Sequence, residues 1–245
     1  MSRPNELRLP DDTCRLVVIQ DQLQTCPYIP DETARTPLRL PIGNVTPEIT
    51  DRMLALGFRR SGNFVYRTEC PSCNECKPTR LKVADFRLTK SLRRVMQRGD
   101  RDLVCCLNAP SGDEQRLKMF NEHRLQRGLG QRDEPIDASE YLSFLCDTCC
   151  DTLELSIYRD GNLVAISVFD VGRESTSAVY THFDPSESRF SLGTYAVLKQ
   201  VEWARKSGRQ FVYLGMYVAV NPHLNYKARF KPQQRLLDDV WVDSP

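Results

Sequence analysis

The sequence predicts an α+β protein, and three observations carry that expectation. Two capping-box helix starts in the second half lead into a run of strands punctuated by Asp160-Gly161, the signature of a tight antiparallel hairpin. A broadly apolar helix then separates two further strand-like runs. The first part of the chain is instead rich in Pro and Cys and shows no sustained period, so a smaller irregular unit is expected ahead of the regular one. With 245 residues, two modest domains, 1-103 and 104-245, can each bury a core.

In chain order, residues 10 to 47 contain Pro10, Pro27, Pro30, Pro37, Pro41 and Pro47, which exclude a long helix and suggest an irregular segment wrapped on something firmer. Thr46-Pro47 reads as an N-cap with Pro at the first helical position, opening a short helix through Leu56 that stops at Gly57. FVYR, from Phe64, is strand-like and enters a cysteine cluster. Ser111-Gly-Asp-Glu114 and Asp137-Ala-Ser-Glu140 match capping boxes, so helices are expected over 112–127 and 138–146. LELSIYR and LVAISVFD flank the Asp-Gly turn, and STSAVYTHF adds a third strand that ends at Asp184-Pro185. SLGTYAVLKQVEWARKSG is a helix closed by Gly208, and QFVYLGMYV returns as a buried strand. A short helix and a strand near Val240-Trp241 complete the order.

Composition narrows the class. The start, MSRPNELRLPDDTC, has neither the basic opening nor the apolar block of a secretory signal, and no segment approaches the ~18 continuous apolar residues of a membrane helix. A cytoplasmic protein is expected, and its ten cysteines then read as reduced thiols or metal ligands rather than disulfides. Net charge is only +2, which excludes a whole-molecule polycation. Between Lys77 and Asp102, however, nine basic residues stand against three acidic ones, a local excess of +6 (nine minus three) that can neutralise several phosphates.

Cys70, Cys73 and Cys76, in CPSCNEC, have metal-ligand spacing. A tetrahedral Zn or an iron-sulfur cluster needs a fourth thiolate, and Cys26, which begins a Cys-Pro turn, is the candidate. Half-buried thiols without metal are the alternative, and the spacing leaves all three open. Cys105-Cys106 and Cys149-Cys150 read as packing residues. A helix starting near Thr89 would set Arg93, Arg94 and Arg98 partly on one side, as a nucleic-acid contact or a plain solvated face. Arg189, Ser191 and Gly193 lie between a strand end and a helix start, where free amides and the helix dipole attract phosphate. Leu214-Gly215 and the stretch from Asn225 to Pro232 gather polar and aromatic groups near an expected cleft. His123 and His182 read as structural residues, and no Ser-His-Asp or paired-acid motif is legible.

TCPYIPDETART, LGFRRSGNFVYR, the cysteine cluster with KPTRLKV, SAVYTHFDP, SLGTYAVLKQVE, YLGMYV and NYKARFKP follow one another from Cys26 to Phe230. In this order they resemble the bacterial members of the arginyltransferase (R-transferase) family, of the aspartate/glutamate leucyltransferase type. The resemblance implies a mixed-sheet, GNAT-like acyltransferase domain behind a smaller cysteine-containing N-terminal domain. It implies transfer of an aminoacyl group from tRNA to the N-terminus of proteins that begin with Asp or Glu, in the N-degron pathway. Leucyl-tRNA is the favoured donor and arginyl-tRNA the alternative. The chemistry requires no cofactor, although relatives of the eukaryotic type imply an iron-sulfur cluster or Zn at Cys26, Cys70, Cys73 and Cys76. No membrane partner is implied.

On that reading Tyr180, Asp184, Tyr226 and Lys227 are the catalytic candidates, and Arg93, Arg94, Arg98, Arg189, Ser191 and Gly193 meet tRNA. Arg59, Arg60 and Arg229, together with Lys227, are the cations available for an acidic acceptor residue. Arg189 stands four residues before Gly193, one more than the R/Q-x-x-G-x-G/A pattern that holds acyl-CoA, so this loop is expected to face the CCA end of tRNA. The rival readings are a non-catalytic RNA-binding module and a conventional acyl-CoA acetyltransferase.

Overall fold

The computed structural model describes residues 6–8, 14–129 and 134–244. Residues 10–47, read as irregular, instead supply most of an N-terminal sheet, apart from residues 10–13, which lie outside the described residues. The strands are β1 (Glu6–Arg8), β2 (Cys14–Gln20), β3 (Leu23–Thr25), β4 (Thr33–Arg35) and β5 (Leu38–Gly43). Helix α1 (Pro47–Ala55) and strands β6 (Arg59–Ser61) and β7 (Phe64–Tyr66) follow. Five of these strands form an antiparallel sheet in the order β1-β2-β5-β7-β6, while β3 and β4 make a separate hairpin. The prolines do exclude helix, but they do not exclude pairing. Pro27 and Pro30 sit in the β3–β4 connection, and Pro41 pairs with Leu16 at a position beyond the short β5–β7 ladder, where no donor is needed on that side.

The second unit contains β8 (Lys77–Lys82), α2 (Lys90–Asp102), β9 (Val104–Asn108), α3 (Glu114–Gln126) and α4 (Ala138–Tyr141), which continues as a π-helical turn over Leu142–Cys146. Strands β10 (Thr152–Arg159), β11 (Asn162–Val171) and β12 (Ser175–Phe183) lead through a 3-10 segment, Pro185–Phe190, into α5 (Leu192–Lys206). Strand β13 (Phe211–Tyr217), a 3-10 turn at Asn225–Arg229, β14 (Gln233–Leu237) and β15 (Val240–Ser244) complete it. The sheet order is β15-β14-β8-β13-β12-β11-β10-β9, with only β12 and β13 parallel. This is the expected α+β class with a mixed sheet. Two elements upstream of residue 103 belong to it: β8 is an interior strand, and α2 packs on α5.

Local chemistry explains most boundaries. Thr46 caps α1 by accepting from the Ile49 amide at 3.3 Å, and Gly57, at φ +84°, ends it. The box expected at Ser111 is not formed: Asp113 caps α3, accepting from the Arg116 amide at 2.9 Å, while the Ser111 amide donates to Glu154. Asp137 and Glu140 do form a reciprocal box. The hairpin is as expected, with Asp160 and Gly161 both at positive φ.

Strand β11 is buried on both faces and therefore reads as a continuous apolar run. Ala165 and Phe169 face the cluster under α5, whereas Ile166 and Val168 face the one under α3 and α4. The two units are bound together across their boundary. The Asp51 carboxylate accepts from the Glu174 amide at 2.8 Å, Arg60 pairs with Asp170 at 2.8 Å, and the Trp241 indole donates to the Ala55 carbonyl at 2.9 Å.

Gly99 lets α2 lie directly on α5: a Cβ there would stand 2.2 Å from the buried Tyr195 ring. Gly99→Ala is therefore expected to destabilise the protein by about 1–3 kcal/mol through overpacking, read as a lower urea midpoint with an unchanged slope.

Candidate active site

β12 and β13 pair only over Ser175–Ser177 and Phe211–Tyr213. Beyond that point bulges on both strands, at Val168/Phe169 in the β11–β12 ladder and at Tyr213/Gly215 in the β13–β8 ladder, turn them apart. Arg59, reaching across from β6, fills the resulting gap. Its Nη1 donates to Ser177 Oγ at 2.6 Å and its Nη2 donates to the Ala178 carbonyl. Gly215 lines the other side at φ +88°, where a Cβ would lie 3.4 Å from Arg59 Nη2.

Lys227 comes from the 3-10 turn that follows β13 and is buried, with its Nζ 5.1 Å over the Tyr226 ring. Burial, and then the charge of Arg59, push its pKa down to about 7. Burial also lowers that of Arg59. Among the described residues neither cation has a carboxylate partner. Arg60, the next residue on β6, differs: its Nε meets Asp170, and both side chains are almost wholly enclosed.

The other candidates occupy three places. Tyr180 packs on Phe120 and Phe144, and burial pushes its phenol up to about 12 against the opposing pull of Arg124 and Arg127. Tyr226 is also held protonated by burial, with Arg127 again opposing. Both phenols can donate hydrogen bonds at neutral pH; neither can act as a base there. Arg127, just past the end of α3, lies 5.5 Å over the Phe183 ring and was not singled out from sequence, where it is one more Arg in a basic stretch. Asp184 uses its carboxylate to cap the 3-10 segment, accepting from the Ser186 amide at 2.8 Å. Arg229 is exposed on its turn. His123 and His182 are buried, with pKa values driven down by desolvation to about 4 and about 3, so both are neutral and structural.

Helix α2 begins at the Thr89 cap as expected, with Arg93, Arg94 and Arg98 all exposed. Arg98 donates to the backbone carbonyl of Arg189, so α2 and the loop before α5 form one basic surface. Ser191 precedes α5 in the left-handed region at φ +52° without a side-chain cap, and a Cβ at Gly193 would lie 3.4 Å from the Phe183 ring. The first amides of this 15-residue helix thus face the same loop.

Cys26, Cys70 and Cys76 line one cavity, and Cys76 is raised to about 12 first by burial and then by the Cys26, Cys70 and Cys73 thiols. The chain therefore does bring Cys26 to the cluster. Yet among the described residues no group of three His, Cys, Asp or Glu side chains is arranged to hold a metal ion. Cys70 Sγ is engaged with the backbone of Arg35, accepting from its amide at 3.4 Å. The thiols do not fit a ligand cage, and no step below passes through a metal.

Against known families, residues 24–94 match the N-terminal model and residues 115–237 the C-terminal model of arginine-tRNA-protein transferase. The chain belongs to the arginine-tRNA-protein transferase family. It is thus an aminoacyltransferase and not a passive RNA-binding module. Similar curated proteins are named aspartate/glutamate leucyltransferase: that of Marinobacter nauticus is 35% identical over 88% of this chain and 91% of its own, and that of Acinetobacter baumannii 32% identical over 88% and 80%. The Hahella chejuensis relative of the same name is 32% identical over 89% and 92%. Among solved structures, L-PGS from Bacillus licheniformis superposes with a TM-score of 0.53 at 12% identity, over 97% of this chain and 81% of that one. This likeness concerns the fold alone. No helix among the described residues is long and apolar enough to cross a membrane.

Unfolded lysine keeps its proton to pH ~10.4, whereas native Lys227 releases it near 7. Between those values the unfolded state binds more protons, so stability should rise with pH. Lys227→Met is expected to flatten that rise and to leave the melting temperature at neutral pH unchanged or higher, measured by calorimetry from pH 6.5 to 9.5.

Proposed function

We propose that this transferase moves leucine from leucyl-tRNA to the N-terminal amine of proteins that begin with Asp or Glu, in the cytoplasm, and so marks them for N-degron proteolysis. The names of the relatives support the donor and the acceptor. The observation that carries the acceptor reading is the pair of buried cations, Arg59 and Lys227, neither of which is ion-paired to a carboxylate among the described residues. A buried, uncompensated charge is costly, and an incoming carboxylate relieves that cost for both cations at once.

The aminoacyl ester is already activated, so no covalent enzyme intermediate is needed. At pH ~7.5 an α-amine of pKa ~7.7–8.0 is roughly a quarter to two-fifths neutral and attacks the ester carbonyl directly. A C–N bond forms, the C–O bond to the terminal ribose breaks, and the released ribose oxygen takes a proton from the attacking ammonium. Positioning and oxyanion stabilisation then dominate the rate. Tyr180 and Tyr226, protonated phenols near the gap, are suited to donate to the oxyanion or to the 3′ adenosine. The exposed Arg93, Arg94 and Arg98 surface, joined to Arg189 and the amides at Gly193, suits tRNA phosphates.

Incubating the protein with labelled leucyl-tRNA or arginyl-tRNA and peptides beginning with Asp, Glu, Arg or Ala should give leucyl transfer to the first two peptides alone. Transfer from arginyl-tRNA instead would establish the alternative donor, and no transfer from either would refute the proposal. Replacing Arg93, Arg94 and Arg98 together by Ala should weaken tRNA binding and reduce the slope of log affinity against log salt by about 2–3, with the fold intact by circular dichroism. An unchanged slope would remove the phosphate role from α2.

A further inference from the structure

A cavity of about 260 Å³ lies beside the gap, walled by Cys26, Tyr28, Leu38, Tyr66, Cys70 and Met216 among others. Pockets that take whole drug-sized ligands span ~300–1,000 Å³. This one has room for a side chain rather than a nucleoside. Among the described residues no Asp, Glu, Lys, Arg or His contributes to its wall, which is made of apolar groups, thiols, phenols, hydroxyls and one amide. The cavity is nonetheless continuous with the charged site. Ser61, in its wall, is two residues from Arg59 on β6 and so shares its face. Met216 directly follows Gly215, against which the Arg59 guanidinium lies. Tyr28, whose carbonyl accepts from Asn221 at 3.1 Å, ties the wall to the segment that leads to Lys227.

Resting on the reading that an aminoacyl ester is delivered to this gap, we infer that the cavity receives the side chain of the residue being transferred and admits only an uncharged, apolar one. The division of labour follows from charge. A carboxylate belongs with Arg59 and Lys227, neither of which is among the residues that wall the cavity. A guanidinium placed in the cavity would lose its water and find no carboxylate, a large penalty for a group with five donors. An isobutyl side chain loses nothing there and gains burial. Donor selection is then a property of the N-terminal sheet and β3–β4 hairpin, not of the acyltransferase sheet.

Thr68 stands half-buried in the cavity wall, where a longer side chain can be accommodated. Thr68→Glu should lower kcat/KM for leucyl-tRNA at least tenfold relative to arginyl-tRNA with an Asp-initiated peptide, whereas the neutral Thr68→Gln should keep the wild-type preference. A donor ratio that is the same in Thr68→Glu and Thr68→Gln, or a change in acceptor rather than donor preference, would overturn the inference. Alkylation supplies a test that does not depend on turnover. 3′-Leucylamido-3′-deoxyadenosine should protect Cys26 and Cys70 from N-ethylmaleimide, mapped by mass spectrometry, and its arginyl counterpart should not. Equal protection by the two, or by neither, would equally overturn it. Failure of wild-type protein to transfer any residue would instead count against the transferase reading, leaving the cavity to be judged by the alkylation result.

Discussion

Where β12 and β13 part after three paired residues, the Ala178 carbonyl would be left in a dry gap with no strand to donate to it, and the Arg59 guanidinium from the other sheet supplies the donor. Much else follows from that contact. Arg59 can reach the gap only because β6 is held at the edge of the N-terminal sheet and because Gly215 has no Cβ to obstruct it. The junction around it is fixed by Asp51 on the β11–β12 turn, by the enclosed Arg60–Asp170 pair and by Trp241 on the end of α1. The N-terminal sheet is in this sense part of the wall of the candidate site.

Arg59 and Arg60 form an internal comparison. They are adjacent on a three-residue strand, equally buried, and point to opposite sides. One faces an aspartate, and its charge is neutralised within the fold. The other shares its neighbourhood with a second buried cation, Lys227, which is itself driven toward neutrality. Proteins retain such uncompensated charge where function uses it, because stability alone would favour its removal. On the proposed reading, the same physics would let the neutral cavity and the cationic gap beside it select different side chains.

The legible parts of this fold are those whose determinants are local. The Thr46 and Asp137 caps, the Asp160-Gly161 turn, the Thr89 helix start and the run of α5 to Gly208 all depend on residues within four positions of one another. The N-terminal sheet was hidden because its strands are short and interrupted by proline, and its pairing is tolerated only where the neighbouring ladder is absent. Strand β9 was hidden because a two-cysteine run carries no clear alternation, and β8 because its apolar residues are interleaved with the basic ones that suggested a phosphate surface. Ser111 lost to Asp113 because Glu154 competes for the Ser111 amide, a partner 43 residues away.

By itself the sequence determined the α+β class, the family and the set of residue types from which the site is built, since motif order and local turn chemistry survive without knowledge of contacts. It could not rank Arg59 above Arg60 or Arg229, nor set Lys227 beside Arg59, nor reveal a neutral cavity walled by residues from 24 to 216. Those were decided by tertiary structure. Whether a charge is compensated, and which wall of a cavity it lines, depends on which distant strands are brought within a few ångströms, and no local pattern encodes that.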